Sequence, residues 1–139
     1  MNYTETLEYL FTSLPTFQQV GALAYKPGLE RVSEFCRKIG NPQRSYFTIH
    51  IAGTNGKGSV SNMLASVLQQ AGYQVGLFTS PHLTDFRERI RVNGEMISKQ
   101  KVVNFVSKYR KDMEECELSF FEMTTAMAFD YFAQSDVEV

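Results

Sequence analysis

Tyr46-Phe47-Thr48-Ile49-His50-Ile51-Ala52-Gly53-Thr54-Asn55-Gly56-Lys57-Gly58-Ser59 is the stretch that decides the fold class. Its first half is short, β-branched and aromatic, which predicts a buried strand over residues 46–52. Its second half is a glycine-rich turn. Beyond it Val60, Met63, Leu64, Val67, Leu68 and Ala71 recur at helical spacing, and Gly72 stands where a helix stops. Strand, glycine loop and helix in that order place backbone N–H groups and a helix N-terminus where a phosphate can sit. Glycines let the backbone come close to an anion. Lys57 adds a mobile positive charge that can reach the β- and γ-phosphates of a nucleotide. Ser59 adds a hydroxyl for a phosphate oxygen or magnesium. Gly53, Thr54, Asn55, Gly56, Lys57, Gly58 and Ser59 are therefore the candidate ATP-binding residues, with Lys57 also the candidate catalytic group. The plainer reading is a glycine-rich turn with a capping serine. The ordered run of strand, loop, lysine, hydroxyl and helix favours phosphate.

Working outward, residues 75–79 read as a second strand. Strand, helix, strand is a βαβ unit, which implies parallel pairing and a right-handed connection. The expected fold is α/β: a P-loop nucleotide-binding domain with a mainly parallel sheet flanked by helices. Asn93-Gly94 is the strongest short hairpin signal in the chain. Upstream, Leu7, Leu10, Phe11 and Leu14 predict a helix closed by Pro15. Leu29, Val32, Phe35, Cys36 and Ile39 predict another, ended by Gly40-Asn41-Pro42. Downstream, Ser98 is placed to cap a helix carrying Val102, Phe105, Val106, Tyr109 and Met113. The last helix, about residues 120–134, is apolar on nearly every face, the pattern of a helix buried in a larger body. Val137-Glu138-Val139 then reads as the start of a further strand, so the sheet is expected to be incomplete in this chain.

Composition sets the outer bounds. The 139 residues allow one domain of ordinary size. With 43% hydrophobic and 21% charged residues the chain is globular, not disordered. A net charge of −1 argues against a general nucleic-acid binder. No apolar run approaches the ~20 residues of a membrane span, and the first residues show no secretory leader. Cys36 and Cys116 match neither a zinc spacing nor a disulfide framework, so they read as reduced thiols of a cytoplasmic protein. Exposed faces of the last helix are a route to self-association.

The phosphate loop departs from the general P-loop pattern in an informative way. Only Thr54 and Asn55 separate Gly53 from Gly56, and Gly58 stands between Lys57 and Ser59. Ala52-Gly53-Thr54-Asn55-Gly56-Lys57-Gly58-Ser59 resembles the form used by folylpolyglutamate synthases and dihydrofolate synthases, within the Mur ligase superfamily. Gly28-Leu29-Glu30-Arg31-Val32 is similar to that family's N-terminal helix signature. Phe78-Thr79-Ser80-Pro81-His82-Leu83 is similar to its second strand and the loop leaving it. Glu88-Arg89-Ile90-Arg91-Val92-Asn93-Gly94 continues that loop into the hairpin, and Phe120-Phe121-Glu122 with Thr125-Ala126-Met127-Ala128 resembles the family's acidic helix. The resemblance spans nearly the whole chain. It implies that residues 1–139 are the N-terminal part of an ATP-binding, Mur-central-type domain, without the C-terminal glutamate-binding domain. It further implies an ATP- and Mg2+-dependent ligase of folate biosynthesis and one-carbon metabolism. Such an enzyme joins L-glutamate to dihydropteroate or folate through an acyl phosphate. The chain by itself is expected to bind nucleotide at most.

The resemblance also nominates site residues. Ser80 ends the second strand, where ligands of parallel sheets collect. The family makes it a magnesium ligand; the alternative is a turn serine before Pro81. Glu122 lies at the aromatic start of an apolar helix, where an unpaired carboxylate is costly. The family makes it a second magnesium ligand, and hard cations prefer oxygen donors. Ser119-Phe120-Phe121-Glu122 equally fits a capping box. Arg87, Arg89 and Arg91 alternate, so in an extended segment they share one side. Arg89 is the substrate-binding candidate, because it matches the family's loop. Pro27, Gly28 and Leu29 match a segment that touches the pterin substrate, and His82 is a further candidate there. His50 reads as a structural histidine within its strand, and Cys36 as core. Other readings are a Mur-type amino-acid ligase acting on a cell-wall precursor, a stand-alone P-loop kinase or binding module, and a non-catalytic P-loop fragment. Gly58 and Ser80-Pro81-His82-Leu83 argue against the first. The expected partners are small molecules (ATP, L-glutamate, dihydropteroate or folate), with no nucleic acid and no membrane.

Overall fold

In chain order the described residues form α1 (Tyr3–Thr12), α2 (Glu30–Lys38), α3 (Lys57–Gln70), β1 (Gly76–Phe78), β2 (Ile90–Val92), β3 (Glu95–Met96), α4 (Lys99–Glu115) and α5 (Phe120–Gln134), with 3-10 turns at Pro42–Arg44 and Phe86–Arg89. The structure is a computed structural model and describes residues 1–12 and 28–139. Contacts divide these into two units, Met1–Asn41 with Lys99–Met127 and Pro42–Ser98 with Ala128–Val139. Among the described residues no helix is long and apolar enough to cross a membrane.

The first unit is helical. Asn2 and Glu5 open α1 as a reciprocal cap: the Glu5 N–H donates to Asn2 Oδ1 at 2.9 Å and the Asn2 N–H to Glu5 Oε2 at 2.8 Å. The helical spacing read from sequence then buries Leu10, Phe35, Cys36, Val102, Phe105, Val106 and Met113. Phe35 of α2 meets two rings of α4 edge-on, Phe105 at 6.3 Å and Tyr109 at 6.0 Å. Each such buried side chain contributes about 1.5–3 kcal/mol. Cys36 and Cys116 are unbridged and buried, and burial pushes both thiols up, away from reactivity.

The second unit holds the sheet, and here the expectation needs correction. The ladder among the described residues has the order β1-β2-β3 and is antiparallel throughout. Asn93-Gly94 makes the β2–β3 turn as its sequence predicts. β1, however, pairs with β2, Leu77 opposite Arg91, and not with a parallel strand from residues 46–52. The reason lies at the end of the chain. The Glu138 N–H donates to Gln74 O at 2.8 Å, the Gly76 N–H to Val139 O at 2.9 Å, and the Phe47 N–H to Glu138 O at 3.0 Å. Residues 137–139 thus run beside residues 74–76 with both numbers rising together, the parallel sense, and Glu138 bonds both Gln74 and Phe47. Two segments neighbouring in sequence are thus separated by one from far along it.

Residues 46–52 form no ladder strand and are not buried: Phe47 is 82% and Ile49 55% exposed, and His50 is exposed as well. Tyr46, half-buried at the start of this run, meets the Phe132 ring edge-on at 6.0 Å and donates its hydroxyl to Phe129 O at 3.2 Å. The core of the unit is Val75, Phe86, Ile90, Ile97, Ala128, Phe132 and Val137. Gly76 is required by packing, since a Cβ there would lie 2.7 Å from Phe132 Cδ1.

Candidate functional site

The glycine loop leads straight into α3. Gly56 is the residue before the helix and has φ +77°, a left-handed conformation that a side chain would strain. No side chain caps the helix N-terminus, so the N–H groups of the first turn are not taken by a cap. Lys57 is the first helical residue, and its ammonium turns back over the loop. Nζ donates to Gly53 O at 2.6 Å and sits 3.4 Å from Thr54 O. Gly53, Thr54, Asn55, Gly56, Lys57, Gly58 and Ser59 are all exposed. The loop therefore brings together an uncapped helix start, its partial positive charge and one lysine, which is the chemistry of an anion cradle.

The segment after β1 carries the next candidates. Ser80 is exposed, one residue beyond Thr79, whose N–H donates to Arg89 O at 3.0 Å. His82 and Arg89 are brought together: Arg89 Nε donates to His82 Nδ1 at 2.7 Å, and Arg89 is only 8% exposed. Burial, and then the Arg89 charge, pushes the His82 imidazole below its usual range. The three arginines do not share one side. The 3-10 turn Phe86–Arg89 breaks the alternation expected of an extended segment. Arg87 pairs with Asp85 at 2.7 Å, while Arg91 lies against the carbonyls of Glu88 and Gly94. Glu88 was not among the candidates, yet its carboxylate gathers the preceding loop. The signal for it was in the sequence, since Asp85 and Glu88 have capping-box spacing, and both halves of that box form.

In the first unit, Gly28 and Leu29 lead directly into α2, and Leu29 is exposed. Pro27 lies outside the described residues. Glu122 makes the alternative arrangement, a capping box with Ser119: the Ser119 N–H donates to Oε2 at 2.8 Å and the Glu122 N–H to Ser119 Oγ at 3.3 Å. It also receives Arg31, whose Nη2 lies 3.1 Å from both carboxylate oxygens. Arg31 is a second residue that sequence reading left without a role. Of roughly four acceptor positions on a carboxylate, three are thus engaged and one remains. A carboxylate such as that of Glu122 and a hydroxyl such as that of Ser80 are each the kind of oxygen donor a hard cation takes. No cluster of three or more His, Cys, Asp or Glu among the described residues forms a ready metal cage.

No family model matches the chain. Among curated proteins it is 42% identical over 115 residues to the dihydrofolate synthase/folylpolyglutamate synthase of Bacillus subtilis, covering 78% of this chain and 27% of that protein. Among solved structures, the folylpolyglutamate synthase of Thermotoga maritima matches with a TM-score of 0.86 at 46% identity, over 98% of this chain and 31% of its own. A folylpolyglutamate synthase complex with AMPPCP and folate matches with a TM-score of 0.85 at 38% identity, over 100% of this chain and 34% of its own. The chain spans under a third of the length of the curated relatives it matches. The likeness to solved structures is that of an α/β nucleotide-binding fold.

Proposed function

Because the chain belongs to the folylpolyglutamate synthase/dihydrofolate synthase family, we propose that it is the nucleotide-binding part of an ATP-dependent ligase joining L-glutamate to dihydropteroate, to folate, or to both. One observation carries this reading: the uncapped start of α3 at left-handed Gly56, with the Lys57 ammonium turned over the loop.

A carboxylate is a poor electrophile, and phosphorylation gives it a leaving group. The γ-phosphoryl group of ATP passes to the substrate carboxylate and ADP departs. The glutamate amine then attacks the acyl phosphate, an amide bond forms, and inorganic phosphate leaves. The protein's contribution is positioning and charge neutralisation. Backbone N–H groups of Gly56, Lys57, Gly58 and Ser59 hold phosphate oxygens, with Gly53, Thr54 and Asn55 shaping the loop. Lys57 leaves Gly53 O to meet the phosphate charge that develops on transfer. Ser80 and Glu122 are proposed as oxygen donors to magnesium, which when bound neutralises phosphate charge. Pro27, Gly28, Leu29, His82 and Arg89 are proposed on the side of the pteroyl substrate.

The test is product formation by this chain joined to the remaining length its relatives carry. Supplied with MgATP, L-glutamate and either dihydropteroate or folate, it is expected to yield glutamylated product with one ADP and one phosphate per turnover. The acceptor that supports turnover decides between the two activities. ATP-dependent glutamylation of neither acceptor contradicts the proposal.

A further inference from the structure

Residues 82–85 are fastened by two consecutive side chains of the 3-10 turn that follows them. The Glu88 carboxylate accepts from the Leu83 N–H at 2.9 Å, the Thr84 N–H at 3.0 Å, the Thr84 hydroxyl at 2.8 Å and the Asp85 N–H at 2.7 Å. Three of these donors, the two from Thr84 and the one from Asp85, meet on Oε1, and the Leu83 N–H alone reaches Oε2. Arg89 fixes the remaining residue by donating Nε–H to His82 Nδ1 at 2.7 Å. The His82 ring also meets Phe86 edge-on at 6.2 Å, and Phe86 is in the core. Leu83, at the tip, is 91% exposed. A lone exposed leucine is ordinary on a mobile surface. This one is held out on a turn whose Leu83, Thr84 and Asp85 amides are gathered on a single anchor.

We infer that Glu88 and Arg89 are positioning residues. They hold residues 82–85 in the shape in which the His82 ring and the Leu83 side chain meet the substrate, and Arg89 acts through His82 and not by direct contact. The identity of what the loop meets rests on the ligase reading; the fastening does not. Donors spread over three residues and collected on one carboxylate act as a unit. An amide oxygen can keep the three donors that meet on Oε1, and the amide nitrogen then opposes only the Leu83 N–H. Glu88→Ala should therefore release the whole loop, whereas Glu88→Gln should loosen chiefly the Leu83 amide. Thr84→Val removes one of the four donors and keeps the rest, so its effect should be intermediate.

Hydrogen exchange on this chain reads the fastening, and steady-state kinetics on the active ligase read its use. Glu88→Ala is expected to speed exchange of the Leu83, Thr84 and Asp85 amides at least ten-fold, while the amides of α3 and α4 hold their rates. In the ligase the same substitution should raise KM for dihydropteroate or folate at least five-fold and leave KM for ATP unchanged. Thr84→Val should fall between the unsubstituted chain and Glu88→Ala in both readouts, and it keeps the test open if Glu88→Ala fails to fold. Unchanged loop exchange in both variants overturns the positioning role. Faster exchange with an unchanged KM for the pteroyl substrate overturns the role in substrate binding. An unsubstituted ligase that glutamylates nothing overturns the functional reading instead, and the exchange rates then still decide whether Glu88 holds the loop.

Discussion

At the scale of single residues, Glu88 and Gly76 make two separable predictions. Four hydrogen bonds to its charged form, the Leu83 amide first, hold the Glu88 carboxyl down at about 2 from an ordinary 4.5. A depressed folded-state pKa means that the stabilisation is complete above the unfolded value and is lost as pH falls toward the folded one. Asp85, Arg87, His82 and Arg89 are the other ionisable groups of this loop. The Glu88 carboxyl carbon, followed by NMR, should therefore still report an ionised group at pH 4 and change only near pH 2. A midpoint near 4.5 contradicts the four-donor arrangement. Gly76 tests packing. A Cβ placed 2.7 Å from the Phe132 ring makes Gly76→Ala an overpacking change, expected to cost about 1–3 kcal/mol in urea unfolding. A cost near zero would mean that Phe132 can move aside.

At the scale of elements, the α5 start and the α3 face are the informative cases. Glu122→Ala removes both the reach back to the Ser119 N–H and the Arg31 contact, and should cost about 1–2 kcal/mol. Glu122→Gln keeps a capping acceptor and should cost less; equal losses would mean that the cap contributes nothing. In α3, Val60, Met63 and Val67 are exposed. Val67→Lys should therefore change stability by less than about 0.5 kcal/mol, whereas Leu10→Ala in α1, at full burial, should cost about 2–5 kcal/mol. Elements whose evidence is local were legible in the sequence. The helices α2 and α4, the Gly72 stop of α3 and the Asn93-Gly94 hairpin stand where spacing put them, except that Leu29, read as part of the α2 face, precedes that helix and is 73% exposed. The partner of β1 was not legible, because Glu138 lies far along the chain and no local pattern encodes which strand comes between two others. The alternating arginines misled for a related reason. Asp85 and Glu88 form a reciprocal cap, so Arg87 belongs to a 3-10 turn and not to an extended strand.

At the scale of the whole molecule, the phosphate loop was the most legible part of the candidate site, because glycine spacing, lysine and helix lie within a few residues of one another. The roles of Arg31 and Glu88 were hidden, because each depends on a partner that only the folded chain supplies. The central claim is that Gly53 to Ser59 form a nucleotide-phosphate site, and amide NMR of this chain titrated with MgATP tests it most directly. Saturable shifts of the Gly56, Lys57, Gly58 and Ser59 amides are expected, with affinity falling at least ten-fold in Lys57→Ala while the fold is kept. Shifts absent from these amides, or an affinity that Lys57→Ala leaves unchanged, would contradict the claim.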